Sequence, residues 1–300
     1  MRKKATWLLE FRSNAYSQTG EDGIIQRILG ILPRNDKWCV ELGAWDGRLH
    51  SNTRSLIESQ DYSAVLIEGD KAKFSKLSEN YSHNKKVIAV NAFIGFEKGN
   101  SLDQILSMTP ISKDFDFLSI DIDGNDYHVW EAMWEYRPKA VCIEFNPTIP
   151  TEVRFVQQPQ PSVNQGASLL SLVDLGKKKG YELVSVLPFN AFFVACEYYP
   201  MFGIENNAPE VLRADQSHIT YLFSGYDGRV FLHGNRTLPW HRIELKESRM
   251  QCLPRMLRKY PCNYSVIEKL FFFVYFFLSE PIVFLRRVRE RLGRTRRRCA

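Results

Sequence analysis

The chain has no Cys-x-x-Cys pair. Its six cysteines, at positions 39, 142, 196, 252, 262 and 299, are scattered over 300 residues. That spacing excludes a zinc ribbon and argues against a disulfide scaffold, so free thiols in a reducing, cytoplasmic compartment are expected. With 17 glycines and 14 prolines the chain is no low-complexity polymer. It also lacks an apolar run of the roughly 20 residues that a membrane-spanning helix needs. After Arg2-Lys3-Lys4 the apolar stretch 5–9 ends at Glu10, so no secretory signal is expected.

What remains is ordinary globular material, 44% apolar and 25% charged. The length suits one elaborated domain, or one domain with an appendage, and a large core. The net charge of +6 is not spread evenly. Residues 286–298 hold eight arginines and one glutamate, a local charge of +7, which leaves −1 for the rest. The basicity belongs to a tail, and a near-neutral body argues against a broad nucleic-acid footprint, so no nucleic-acid partner is expected.

Residues 20–32 carry Ile24, Ile25, Ile28 and Leu32 at helical spacing, and Pro33 stops them. Short apolar runs at 38–42, 63–67, 87–90, 115–120 and 140–143 read as strands, with helical patterns at 53–60, 71–81, 101–108 and 127–134 between them. Ser101, with Gln104 three residues on, is a good N-cap. Strands that are continuously apolar and alternate with helices imply a parallel sheet covered on both faces. A helix at 168–179 and two strands joined by Pro188-Phe189-Asn190 follow. So short a connection forces an antiparallel hairpin. The expected fold is α/β: doubly wound, a mostly parallel seven-stranded sheet ending in an antiparallel hairpin, plus a C-terminal extension. The expected divisions are 1–197, 198–263 with a small hairpin around 219–232, and 264–300.

The polar candidates sit at the carboxyl ends of the strands, where a parallel sheet forms its ligand crevice. They are Glu41 with Asp46, then Glu68, Asn91, Asp121 and Glu144. Residues 40–47 read Val-Glu-Leu-Gly-Ala-Trp-Asp-Gly. Gly43 and Gly47 let a ligand approach the backbone, but their spacing is neither the G-x-G-x-x-G of a dinucleotide cradle nor a P-loop. Ser51-Asn52-Thr53 either cap the next helix or bind a carboxylate. Glu68, one strand on, is placed to accept hydrogen bonds from both ribose hydroxyls of a nucleoside.

These motifs together, with Ile67-Glu68-Gly69-Asp70, Asp121-Ile122-Asp123-Gly124 and the segment 17–23 (Ser-Gln-Thr-Gly-Glu-Asp-Gly), resemble the FkbM-like branch of Rossmann-fold, S-adenosylmethionine-dependent methyltransferases. The resemblance spans 17–196. It implies S-adenosylmethionine as cofactor, with Glu41, Gly43 and Asp46 at its methionine end, Glu68 on the ribose, and Asn91, Ala92 and Phe93 near the adenine. Gly47, Ser51, Asn52 and Asp121 complete that set. Many relatives carry Asp-x-Glu-Gly after the fourth strand, whereas this chain has Asp123, a shorter carboxylate.

Residues 121–128 are dense in oxygen ligands but miss a calcium loop, with Asp126 at its sixth position and Ala132 at its twelfth. Asp121 or Asp123 then serves as a general base toward an acceptor hydroxyl, or both hold Mg²⁺. Alternatively Asp123, Asn125 and Asp126 merely form a turn. His128 is a further candidate base or a surface residue. Residues 144–147, Glu-Phe-Asn-Pro, lack the second proline and the aromatic of the Asn-Pro-Pro-aromatic motif, which disfavours a base amine as acceptor. Glu144 and Asn146 are candidate contacts to an acceptor's hydroxyls, and 148–166 is a candidate lid.

The expected activity is O-methylation of a hydroxyl on a sugar or glycan precursor. A non-catalytic nucleoside-binding module and a dinucleotide-dependent oxidoreductase are the rivals. In the tail, nine apolar residues (270–278), a Ser-Glu-Pro break and four more (282–285) precede the arginines. That pattern reads as an interfacial anchor on an anionic membrane surface, or as a helix packed on a protein. Peripheral membrane association is the expectation.

Overall fold

The computed structural model describes residues 4–33, 36–96 and 99–298, with side chains described through residue 290. Seven strands, β1 (Trp38–Leu42), β2 (Ser63–Glu68), β3 (Val87–Asn91), β4 (Phe117–Ile120), β5 (Ala140–Glu144), β6 (Tyr181–Val186) and β7 (Asn190–Ala195), form one sheet. Their order is β3-β2-β1-β4-β5-β7-β6. The first five pair in parallel, and β7 runs antiparallel to both β5 and β6. The expected doubly wound sheet with its closing hairpin is present.

Both faces are covered, which explains the unbroken apolar strands. On one face Cys39, Leu66, Phe117 and Cys142 pack with Ile24, Leu56 and Leu77 from α1 (Glu21–Ile31), α2 (Arg54–Gln60) and α3 (Lys71–Tyr81). On the other, Val40, Val65, Leu118 and Val141 pack with Ile105, Trp130 and Leu172 from α4 (Leu102–Ser107), α5 (Asp126–Ala132) and α6 (Leu169–Lys178). Trp130 is fully buried, 5.1 Å from the Phe193 ring and 5.7 Å from that of Tyr181. Such a side chain is worth about 3–5 kcal/mol against alanine. Ser101 caps α4 as expected, and Asp70 and Ser168 cap α3 and α6.

The first compact unit ends at Ile219, so the boundary expected after 197 falls inside it. The reason is local. α7 (Pro209–Leu212) packs on β6, and Asn207 donates to the Glu182 carboxylate at 2.7 Å. Arg213 donates to the carbonyls of Pro147 and Ile149, at 2.5 and 2.8 Å, behind the end of β5. Those bonds staple 198–219 to the sheet.

The second unit begins at Thr220. It holds the antiparallel hairpin of β8 (Thr220–Ser224) and β9 (Val230–Gly234), a shorter pair of β10 (Thr237–Leu238) and β11 (Ile243–Glu244), and two helices, α8 (Val266–Ser279) and α9 (Pro281–Arg298). The hairpin expected around 219–232 is therefore found, and 264–298 belongs to this same unit. Ser265 and Glu268 form a capping box at the start of α8. Cys299 and the side chains of the last arginines lie outside the described residues.

Candidate functional site

Parallel pairing in register brings the strand ends level. Leu42 stands opposite both Ile67 and Ile120, Glu68 opposite Asn91, and Ile120 opposite Ile143. The strand order reverses between β1 and β4, the place where such sheets open a crevice. A cavity of about 770 Å³ lies there, within the size range of small-ligand sites. Glu41, Gly43, Ser51, Asn52, Glu68, Ala92, Phe93, Asp121 and Asp123 all line it. Asp46, Gly47, Asn91, His128, Glu144 and Asn146 are not on its wall.

Glu41 is held by the chain itself. Ser51 Oγ and Thr53 Oγ1 each donate to its Oε2 at 2.6 Å, and the Asn52 N–H donates to Oε1 at 2.7 Å. Burial pushes its pKa up, against the pull of those three bonds. The polar turn at 51–53 does bind a carboxylate, and that carboxylate is Glu41. Asn52 Nδ2 also donates to Ser119 Oγ at 3.0 Å, tying this turn to β4.

The glycines serve the same end. Gly43 has φ +71°, and a Cβ there would lie 1.8 Å from the Asp121 carbonyl oxygen. The close approach it permits is between the ends of β1 and β4. At Gly47, φ +72°, a Cβ would meet the Tyr81 ring at 2.5 Å, so that position makes room for α3. Asp46 accepts the N–H groups of Arg48 and Leu49 at 2.9 and 2.8 Å. Partial burial raises its pKa, but these bonds outweigh it and the net shift is downward. Asn91 donates to the carbonyls of Glu68 and Gly69 at 2.8 and 3.2 Å, linking β3 to β2.

Glu68 is only 7% exposed, yet its carboxylate reaches the cavity wall. It accepts the Trp45 N–H at 2.9 Å and the Asp70 N–H at 2.8 Å, one on each oxygen. Each oxygen keeps a second lone pair. Two aromatic side chains flank it on the wall. Phe93 is exposed, and Trp45, at φ +50°, has the Lys73 ammonium 3.9 Å from its ring centroid.

Carboxylate oxygens of Asp121 and Asp123, which line the cavity, and of Glu144, which does not, lie within 4.8 Å of one another. Asp121 is pushed up to about 8, first by burial and then by the negative charges of Asp126 and Asp123. Glu144 is raised by burial and by Asp121. Such a set either keeps a proton or holds a cation. Asp126 builds the turn, accepting the N–H groups of Ile122 and Gly124, both at 2.9 Å. Asp123 adopts φ +59° and is exposed.

His128 stands apart. Its Nε2 lies 2.8 Å from the Gln157 carbonyl oxygen, and its ring packs 5.4 Å from Phe96 and from Tyr127. Asn146 organises the next loop, donating to the Gln165 carbonyl at 2.8 Å and accepting from Thr148. That loop, 148–166, folds over the β4 end, and Pro161 and Asn164 reach the cavity. Its anchor is Gln157, whose side chain donates to Asn125 Oδ1 and the Val163 carbonyl and accepts from the N–H groups of Gln165 and Gly166.

Gln18, Trp45, Lys73 and Asn164 line the cavity without having been singled out in the sequence. Gln18 did carry a signal. Glu21 accepts its N–H, and Asp22 accepts those of Ala15, Tyr16 and Ser17, so the Glu-Asp pair shapes the 17–23 turn. Asn164 had none, because its loop is remote in sequence.

No known family matches this chain, and no curated protein matches it in sequence. Several solved structures are similar. The N-terminal domain of EvdMO1 with SAH bound is 10% identical with a TM-score of 0.40, covering 60% of this chain and 82% of that one. A precorrin-6y C5,15-methyltransferase from Geobacter metallireducens is 13% identical with a TM-score of 0.38, covering 62% and 95%. A SAM-dependent methyltransferase from Aquifex aeolicus is 10% identical with a TM-score of 0.36, covering 65% and 98%. The fold assignment rests on strand order and register rather than on these likenesses.

Proposed function

We propose that this chain transfers a methyl group from S-adenosylmethionine to a hydroxyl oxygen of a sugar or glycan. One observation carries the reading: Glu68 presents a carboxylate at the second strand end, on the wall of a cavity that Asp121 and Asp123 also line. A ribose fits the first carboxylate, since both its hydroxyls donate. The sulfonium and the ammonium of S-adenosylmethionine are cations, and an acid-lined cleft draws them in. The FkbM-like resemblance supplies the sugar class. The altered motif at 144–147 favours oxygen over a base amine.

The chemistry asked of the protein is modest. Aligning acceptor oxygen, methyl carbon and sulfur is worth up to about 7–11 kcal/mol. Asp121, in its ionised form, takes the acceptor's hydroxyl proton as the oxygen–carbon bond forms. The carbon–sulfur pair stays on sulfur, which leaves as a neutral thioether. Asp121, Asp123 and Glu144 also suit Mg²⁺, being three hard oxygen donors with charge to spare. Held there, the ion would lower the pKa of an acceptor hydroxyl.

Calorimetric titration with S-adenosylhomocysteine and with NAD⁺ tests the reading. The expected result is binding of the former alone, weakened on the order of tenfold or more in Glu68→Gln, where a charge-assisted bond is lost. Binding of NAD⁺ without S-adenosylhomocysteine overturns it.

A further inference from the structure

A surface helix in water turns its apolar stripe inward and its polar face out. α8 is apolar on both sides. Its half-buried side carries Phe272, Tyr275 and Phe276, with Glu268 near its start. Phe272 packs 5.8 Å from Tyr264, the Tyr275 hydroxyl donates to the Cys252 carbonyl, and Phe276 meets Phe284 at 5.6 Å. The opposite side carries Val266, Ile267, Leu270, Phe273, Val274 and Leu278, all exposed, Leu270 by 67% and Leu278 by 72%. At about 100° per residue these share one arc of roughly 140°. α9 continues the pattern, with Ile282 and Leu285 exposed beside Arg286, Arg287 and Arg289.

No described helix is long and apolar enough to cross a membrane. At 14 residues α8 reaches about 21 Å, short of a hydrocarbon core of about 30 Å. We propose that α8 and α9 dock on the surface of an anionic lipid bilayer. The outward face of α8 enters the interface, and Arg286, Arg287 and Arg289 meet the headgroups. Charge complementarity selects this occupant. The apolar face is followed by eight arginines against a single glutamate. A second copy docking by the same face brings its own arginines against these, like charge against like. Lipid with negative headgroups offers both, and either term alone binds weakly.

The test is co-sedimentation of the full chain with phosphatidylcholine vesicles, with and without about one-third phosphatidylserine. Binding is expected only to the anionic vesicles and should fade at high salt. Replacing Arg286, Arg287 and Arg289 by Gln should weaken it on the order of a hundredfold. Phe273→Asp with Val274→Asp should abolish it at any salt. Helix content by circular dichroism and the thermal midpoint should be unchanged in both variants, which shows them folded, and unchanged S-adenosylhomocysteine affinity of the other unit separates this result from the methyl-transfer reading. Equal binding to neutral vesicles overturns the proposal. So does the absence of vesicle binding alongside either a dimer that the Asp variant dissolves or binding of RNA by the arginines.

Discussion

A half-buried carboxylate crowded by other carboxylates holds its proton more tightly than a free one, and Asp121 is that group here. Its pKa is raised from an ordinary 3.8 to about 8, so between those values the folded chain holds a proton that the unfolded chain has released. Stability of the unliganded protein therefore falls as pH rises from about 4 to about 8. Urea titrations at several pH values should follow that slope, and Asp121→Asn should lessen it, since Asp126 and Glu144 are raised in the same direction. The catalytic consequence runs the other way, because a base must be ionised. Under the proposed function kcat/KM should climb with pH through the same window, and Asp121→Asn should lower kcat by roughly 10²–10⁴, a far larger loss than any in S-adenosylhomocysteine affinity. If the three carboxylates hold Mg²⁺, chelation lowers the rate and added Mg²⁺ restores it. At this scale the sequence indicated which residues stand at the strand ends, but not what they touch. Glu41, Gly43 and Ser51 are on the cavity wall, yet Glu41 is bonded to Ser51, and Gly43 makes room for the Asp121 carbonyl.

Among the elements, loop 148–166 covers the cavity beside Asp123 and Asn125, with Pro161 and Asn164 on its wall. It has no periodicity, yet the buried amide of Gln157 makes four hydrogen bonds that lock its two arms together and to Asn125. Asn164 then reaches back to the Asp123 carbonyl at 2.7 Å. Gln157→Ala should leave N–H and carbonyl groups unpaired, at about 1–3 kcal/mol for each group that stays buried. The expected kinetic signature is a raised KM for the acceptor with S-adenosylhomocysteine affinity retained, read by steady-state kinetics and calorimetry. Equal losses in both place Gln157 in the general fold instead. His128 belongs to this latch, since its ring nitrogen meets the Gln157 carbonyl. Nothing in its sequence context distinguishes a latch from a base, because the partner lies 29 positions away.

For the whole molecule, a ligand that binds only the folded state raises stability by mass action. S-adenosylhomocysteine at about a hundred times its Kd should add about 2.7 kcal/mol, seen as a higher thermal midpoint, while NAD⁺ leaves the midpoint where it was. The sequence by itself determined the sheet, its two covered faces and the closing hairpin. Those follow from local periodicity, β-branched and aromatic runs, caps and turn lengths, all of which act over a few residues. It also marked the charge of the tail. Only the tertiary structure decided which of the strand-end side chains share one cavity, that Glu144 joins Asp121 and Asp123, and that α8 turns an apolar side outward. Those outcomes depend on register, strand order and packing between segments far apart in the chain, and no local pattern encodes such distances.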